Sequence, residues 1–167
     1  TADRAGAVSG HVRLAGAHGE TTTVDGDTLA LAGKLSNGLE YEARARVISR
    51  GGKAEARDDA LRLEGCDAAV VLLVAGTSYA MDSSKGWRGP HPHERLVREL
   101  EAAGKLSWDE LRERQAADHR SIFRRVDLSL GRTADDPRGL TTDRRLEAYR
   151  KGGADPADPE LEALLFQ

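Results

Sequence analysis

Apolar and polar residues alternate through much of the first half of the chain, and this period of two predicts β-strands. Apolar residues take every second position over residues 28–35 and again over residues 39–49. The Ser-Asn-Gly sequence at 36–38 predicts a tight turn between them, because Asn and Gly tolerate positive φ. The opposite face of the second strand carries charged side chains, which we expect to be solvated: Glu40, Glu42, Arg44 and Arg46.

Further strand signals follow this predicted hairpin. Gly51 and Gly52 predict another turn, and Asp58-Asp59 precedes a short strand around Leu61 and Leu63. Residues 68–75 form an unbroken apolar run, which is typical of a short strand buried on both faces. Strands in this order, joined by short turns, predict an antiparallel sheet or a β-sandwich.

The apolar spacing changes to a helical period after a loop at residues 83–92. One helix is expected with Leu96, Val97, Leu100 and Ala103 on one stripe and Gly104 at its end. Ser107 and Glu110 have the spacing of a capping box, so a second helix should begin there. Its apolar line is Trp108, Leu111, Gln115, His119, Ile122, Phe123 and Val126.

The remaining elements are short. Residues 126–130 alternate like a strand, residues 135–137 form a polar turn, and residues 142–150 predict a helix. Asp158 followed by Pro159 is the expected opening of a last helix. Because that helix is only two turns long where the sequence stops at Gln167, we expect the chain to be a piece of a larger protein.

Composition excludes several functional classes. Charged residues make up 32% of the chain and the formal net charge is −3, so no nucleic-acid partner is indicated. No apolar run reaches the roughly 18 residues that a membrane helix needs, so no membrane partner is expected either. Cys66 is the single cysteine, which excludes an internal disulfide and a cysteine-based zinc site and favours a buried, inert thiol. The first residues show no signal-peptide pattern, and the compartment stays open, a secreted parent included.

Histidines are the first candidates for chemistry. His91 and His93 flank Pro92, a spacing that matches no standard metal site, so we interpret them as loop or helix-start residues. His119 lies on the apolar stripe of its helix, which favours a hydrogen-bonded core or interface histidine over a catalytic one.

Paired carboxylates are the second candidates, and each pair lies in a predicted turn, where Asp is common. They could form a glycosidase acid/base pair only if the fold brought another carboxylate across a cleft. The pairs are Asp25 and Asp27, Asp58 and Asp59, and Asp135 and Asp136. Trp87 and Tyr79 flank a loop and could stack on a sugar. The residues themselves therefore predict no catalytic, cofactor-binding or metal-binding site.

A longer series of motifs has a specific resemblance. Its elements are His119, IFRRV at 122–126, LSLG at 128–131, TDRRL at 142–146, and Asp158-Pro159 with Leu161, Leu164 and Phe166-Gln167. Upstream are NGLEYE at 37–42, the Gly51-Gly52 turn and GTSY at 76–79. Taken in chain order, these motifs resemble glycoside hydrolase family 95, the α-L-fucosidase family, at the junction between its N-terminal β-sandwich and its catalytic helical barrel.

The resemblance implies an α+β fold in three parts. Residues 1–82 would be later strands of the sandwich, residues 83–157 a loop and helical linker, and residues 158–167 the start of the barrel. It implies a large enzyme that hydrolyses terminal α-linked L-fucose with inversion, using a carboxylic acid and a base-activated water but no metal. Because the family's catalytic residues lie in the barrel, this chain alone is expected to be a non-catalytic fragment.

The resemblance also implies partners. The catalytic domain of the same parent chain would pack on the stripes around Leu111 and Ile122, and carbohydrate substrate would be met through the parent. Leu161, Leu164 and Leu165 would leave an exposed patch that favours self-association. Two alternatives stay open: a free-standing carbohydrate-binding sandwich in which Trp87, Tyr79 and Tyr41 stack on sugar, and a related α-L-galactosidase.

Overall fold

Strands come first and helices follow in the computed structural model, which describes residues 3–152 and 158–164 and has an α+β fold. The strands are β1 Val8–Arg13, β2 Thr23–Asp25, β3 Thr28–Lys34, β4 Glu40–Arg50, β5 Lys53–Arg57, β6 Ala60–Cys66 and β7 Ala68–Thr77. A 3₁₀ turn at Ser83–Lys85 precedes the helices, which are α1 His93–Gly104, α2 Trp108–Phe123, α3 Asp135–Arg138, α4 Thr142–Gly152 and α5 Pro159–Leu164. Contacts divide the chain into a sandwich unit, Thr1–Glu113, and a helical unit, Arg114–Gln167.

The strands of the sandwich unit form two antiparallel sheets. One has the order β1-β6-β5 and the other β2-β3-β4-β7. The predicted hairpin at residues 28–49 is confirmed, with Leu29 opposite Ala45 and Leu31 opposite Ala43. Gly38 has φ 85° in the turn between these strands, as the Asn-Gly signal predicted. The antiparallel sandwich expected from the strand pattern is therefore present.

The two sheets share one apolar core. The four-stranded sheet contributes Leu29, Ala45 and Val47, and the three-stranded sheet contributes Leu61, Leu63 and Cys66. Cys66 is a free thiol with no exposed surface, as predicted. Fully burying a leucine of this kind contributes about 1.5–3 kcal/mol, so these side chains are the main stabilisation of the unit.

The Gly51-Gly52 turn joins β4 to β5 and depends on glycine. Gly52 has φ 58°, and a Cβ at this position would lie 2.3 Å from the carbonyl oxygen of Glu64. A larger residue would therefore push apart the backbone of β5 and β6.

One face of β4 departs from the prediction. Glu42 is only 4% exposed, although its face was expected to be solvated. The reason is that α1 packs on β4 and β7 and buries Leu96 and Leu100 against them. The predicted α1 stripe is confirmed, and it covers charged residues as well as apolar ones.

The apolar run at residues 68–75 forms β7, but the prediction that both faces are buried is wrong. Val71 is 47% exposed and Leu73 is 62% exposed. β7 is an edge strand among the described residues, and the three-stranded sheet contacts its neighbour β4 through β5 and β6. One face of β7 therefore lies beyond that cover.

Three strands had no clear sequence signal. β5 has the sequence KAEAR and is exposed at every position, so no apolar alternation marks it. β1 contains Gly10 beside a register shift, and β2 is three residues long. Such strands form because a neighbour offers hydrogen bonds, which single-strand periodicity does not record.

The helical unit matches the sequence less closely. Residues 126–130 form no strand, because no described strand of this unit pairs with them. The helices α4 and α5 begin at Thr142 and Pro159 as predicted. Leu161 is 5% exposed, contrary to the expected open patch, whereas Leu164 is 49% exposed; Leu165 and residues 166–167 lie outside the described residues.

The α2 helix begins with the predicted capping box. The Ser107 backbone N–H donates to Glu110 Oε2 at 2.8 Å, and the Glu110 N–H donates to Ser107 Oγ at 3.2 Å. No α2 side chain is buried among the described residues, and its apolar line stays largely exposed. Packing of this helix against a further domain stays a prediction.

Candidate functional site

A buried carboxylate with an arginine and two histidines around it lies where α1 begins on the sheet. Arg44 Nη1 donates to Glu42 Oε1 at 2.8 Å, and His93 Nδ1 lies 3.0 Å from Glu42 Oε2. His91 Nδ1 lies 3.9 Å from the same oxygen. His93 begins α1, as the helix-start interpretation predicted. Their meeting with Glu42 was not predicted.

The electrostatics of this cluster keep Glu42 charged. Burial alone would raise the pKa of Glu42, but hydrogen bonds from Arg44 and His93 outweigh it and the pKa is lowered. Arg44 Nε is buried without a hydrogen-bond partner within the described residues. The Glu42 carboxylate therefore accepts hydrogen bonds that fix the start of α1, and it is poorly suited to donate a proton.

A second buried carboxylate lies in the helical unit. Arg145 donates two hydrogen bonds to Asp158, from Nη2 at 2.6 Å and from Nε at 2.9 Å. Thr133 Oγ1 donates at 2.5 Å and the Leu161 N–H at 3.0 Å, so Asp158 also caps α5. The Arg145 guanidinium is the main reason that the pKa of Asp158 lies far below its usual range. This geometry is that of a structural clamp.

An open groove of about 410 Å³ lies beside this clamp. It is lined by residues 127–131 together with Glu160, Ala163 and Leu164. Glu160 pairs with Arg138 at 3.2 Å, so the groove does not present an unpaired carboxylate there.

The first two candidate aspartate pairs are turn residues, as predicted. Asp25 and Asp27 flank Gly26 in the β2–β3 turn, and Asp27 Oδ2 accepts from Arg46 Nε at 2.8 Å. Asp58 and Asp59 form the two-residue loop between β5 and β6, and Asp58 has φ 55°.

The third pair and His119 belong to the helical unit. Asp135 opens α3 and lies 3.9 Å from Arg132, while the Asp136 side chain is outside the described part of the chain. His119 is exposed and stacks on Phe123 with ring centroids 4.9 Å apart, so it is not a core histidine. An interface role for His119 stays a prediction.

The three aromatic candidates separate into two environments. The Tyr41 hydroxyl donates to the Glu20 carboxylate, and this hydrogen bond raises the pKa of Tyr41. Tyr79 and Trp87 lie together on an exposed loop with parallel rings whose centroids are 6.4 Å apart. The structure thus brings Tyr79 and Trp87 together and leaves Tyr41 outside this pair.

Within residues 3–152 and 158–164, no group of three or more His, Cys, Asp or Glu side chains could hold a metal ion. No helix in that part of the chain is long and apolar enough to cross a bilayer.

Comparison with protein families matches both ends of the chain. Residues 1–82 match the family model described as "Glycosyl hydrolase family 65, N-terminal domain", and residues 107–167 match "Glycosyl hydrolase family 95 catalytic domain". These matches support a glycoside hydrolase segment. No curated protein matched the chain. The first match contains the seven strands of the described residues, and the second begins at the Ser107 cap of α2.

The geometry adds residues that sequence reasoning missed. Glu42 and His93 lie 51 positions apart, so only the packing of α1 on β4 reveals their contact. Arg145, by contrast, belongs to the TDRRL motif and Asp158 to the Asp-Pro helix start. Their separate motif signals were present, although their pairing was not.

Proposed function

We propose that this chain is the segment of an inverting α-L-fucosidase that joins a β-sandwich domain to a helical catalytic domain. The order of the two family matches carries the proposal, since a sandwich-type match precedes a catalytic-domain match in one chain. The fucosidase level rests on the motifs at residues 119–131, 142–146 and 158–161, which lie inside the second match. The segment's own role is structural, and its partners are the parent's catalytic domain and, through it, a carbohydrate.

The charges of the buried carboxylates support a non-catalytic role. Inversion requires a carboxylic acid and a carboxylate base about 6.5–9.5 Å apart, and the acid needs a raised pKa. Glu42 and Asp158 both have lowered pKa values and hold arginine side chains instead. A proton donor is therefore better sought elsewhere in the parent enzyme.

The surface of the helical unit supports a packing role. Leu128, Leu130 and Leu164 are each more than a third exposed beside the groove. Covering side chains of this kind with a further helix lowers the free energy of the protein. In the proposed parent, α5 is the first wall helix of the barrel and the Asp158–Arg145 clamp fixes its start.

The proposal is tested by comparing this chain with the full parent enzyme on 4-nitrophenyl α-L-fucoside. The chain alone should release no more nitrophenol than buffer, whereas the parent should hydrolyse the substrate. Proton NMR should show β-L-fucose as the first sugar released, because inversion changes the anomeric configuration.

Three results would contradict the proposal. Fucoside hydrolysis by the chain alone would place the acid and base among these residues. Release of α-L-fucose first would exclude an inverting mechanism. A parent that prefers 4-nitrophenyl α-L-galactoside would assign the related galactosidase activity instead.

A further inference from the structure

Two aromatic side chains on the loop after β7 are unusually open. Tyr79 is 52% exposed and Trp87 is 46% exposed, and their ring planes differ by only 1°. Neither the Tyr79 hydroxyl nor the Trp87 indole N–H is hydrogen-bonded to any residue that the structure describes. Two parallel rings with free polar groups thus face water together.

The loop that carries them is held by its own backbone. The Ala80 N–H donates to the Trp87 carbonyl at 3.2 Å, and the Trp87 N–H donates to the Asp82 carbonyl at 2.9 Å. Tyr79 and Arg88 form an isolated antiparallel bridge. These bonds fix both ring-bearing positions relative to each other, so little ordering would be needed on binding.

The loop is also attached to the sandwich. Arg88 Nη2 donates to the carbonyl oxygen of Asn37, in the β3–β4 turn, at 2.6 Å. The Gly89 N–H donates to the Ser78 carbonyl at 2.7 Å, and the Oγ of buried Ser78 accepts the Glu40 N–H at 3.0 Å. The aromatic pair is therefore mounted on a rigid β-sheet end.

Trp87 occupies a backbone conformation that disfavours it. Its φ is 63°, in the left-handed region where a bulky residue is strained and glycine is not. Asp58, the other described non-glycine residue with positive φ, sits in a two-residue hairpin turn that calls for this conformation. A tryptophan in a backbone conformation that favours glycine is better explained by a function of its side chain than by the needs of the turn.

We propose that Tyr79 and Trp87 form a carbohydrate-binding surface on the sandwich unit. An aromatic ring offers an apolar face, and the C–H face of a pyranose ring is its complement. Asp82 and Lys85 lie in the same loop and pair with each other at 3.3 Å, and their polar groups can hydrogen-bond the hydroxyls of a sugar ring. The choice of a sugar rests on the glycoside hydrolase assignment and not on fucose as the substrate.

The chain provides an internal control for a binding test, because Trp87 and Trp108 are its two tryptophans. Trp108 is 60% exposed on α2 and is not part of the aromatic pair. In a proton–nitrogen NMR spectrum of the intact chain, each indole N–H gives its own signal. The titrants are methyl α-L-fucopyranoside, methyl β-D-galactopyranoside and lactose, with acyclic mannitol as a polyol that lacks a ring face.

We expect the Trp87 indole signal to move saturably with at least one pyranoside at millimolar concentration, while the Trp108 signal stays in place and mannitol moves neither. Trp87→Gly lacks the observed indole, so the backbone amides of Arg88 and Gly89 are its readout. They should move with the pyranoside in the unsubstituted chain and stay in place in the variant. The substitution relieves the strained φ, so the core amide signals should be unchanged. Tyr79→Ala should weaken binding at least about tenfold, or about 1.4 kcal/mol. Trp108→Ala should bind the pyranoside as tightly as the unsubstituted chain does.

The proposal is overturned if the Trp87 signal stays in place up to about 50 mM of every pyranoside, since a dissociation constant above this concentration does not indicate a specific binding site. It is equally overturned if mannitol moves the signal as much as a pyranoside does, or if the Arg88 and Gly89 amide signals of Trp87→Gly still move with the pyranoside. These outcomes are independent of hydrolysis: a fucosidase parent with no such surface, and a sugar-binding surface on another glycoside hydrolase, give different pairs of results.

Discussion

Glu42 and Asp158 show how single residues fix element starts in this chain. Each is 4% exposed, and each accepts hydrogen bonds from an arginine and from a group at the first turn of a helix. A buried carboxylate is tolerated only when such partners replace its lost hydration. The two residues therefore couple charge to the placement of α1 and α5.

This coupling predicts a pH dependence. The pKa of Glu42 is lowered from 4.5, so its stabilisation is complete at pH values above 4.5 and is lost as the pH falls through the lower folded-state value. Glu42→Gln should cost about 2 kcal/mol at pH 7, because the largely covered Arg44 side chain loses its anionic partner. Urea unfolding at a series of pH values measures this difference.

The same substitution should make the free energy of unfolding depend less on pH below pH 5. Between pH 5 and pH 3, roughly the range where an unfolded glutamate titrates, the variant should lose less stability than the unsubstituted chain. Parallel curves for the two proteins would show that Glu42 does not couple protons to folding.

The α5 clamp offers a matched pair of variants. Asp158→Ala removes both the helix cap and the ion pair with Arg145, whereas Asp158→Ser retains a capping oxygen. Losing the cap costs about 1 kcal/mol, so the alanine variant should be less stable by that amount. Hydrogen exchange at the Leu161 and Glu162 amides measures it, and equal exchange in both variants would contradict the capping role.

At the scale of elements, periodicity predicts what a segment is better than what covers it. The strands β3 and β4 and the helix α1 follow their alternation or apolar stripe. The apolar run of β7 correctly predicts a strand, but its burial depends on how far the opposite sheet extends. β5 lacks any pattern because it is exposed throughout, and its place is set by pairing with β6.

The same limit applies to the candidate site. The turn roles of Asp27 and Asp58 could be predicted from local chemistry, because a turn involves only neighbours in sequence. The contact of Glu42 with His93 depends on how distant segments pack, and the parallel rings of Tyr79 and Trp87 depend on the backbone path of the loop between them. Local patterns contain no information about such contacts.

The open face of β7 makes a prediction about substitution. Leu73→Lys should change the free energy of unfolding by no more than about 0.5 kcal/mol, as is usual at exposed positions. Leu29→Ala, in the closed part of the same sheet, should cost about 2–5 kcal/mol. Thermal and urea unfolding compare them, and similar costs would mean that both positions are buried.

The Leu73→Lys variant should also associate less. A long, uncharged edge strand is a template for pairing with another chain, and an inserted lysine blocks it. Sedimentation velocity over a range of concentrations measures the change. Unchanged association would assign it to another surface, such as the expected one around Leu164.

At the scale of the whole chain, the division into two units predicts independent folding of the first. The sandwich unit has its own core, and α1 packs on its sheet. A polypeptide of residues 1–106, which stops before the α2 cap, should keep the amide chemical shifts of Leu29, Val47 and Leu100. Collapse of these shifts to random-coil values would show that the sandwich needs the residues that follow.

The position of Cys66 makes the sandwich measurable by chemistry as well as by spectroscopy. This single thiol is sealed between the two sheets, where its Sγ lies 3.4 Å from the carbonyl oxygen of Lys53. A thiol reagent can reach it only when the sheets separate. At a reagent concentration where modification is faster than reclosing, the rate of modification equals the rate at which this unit opens. The chain has no second cysteine that could contribute to the signal.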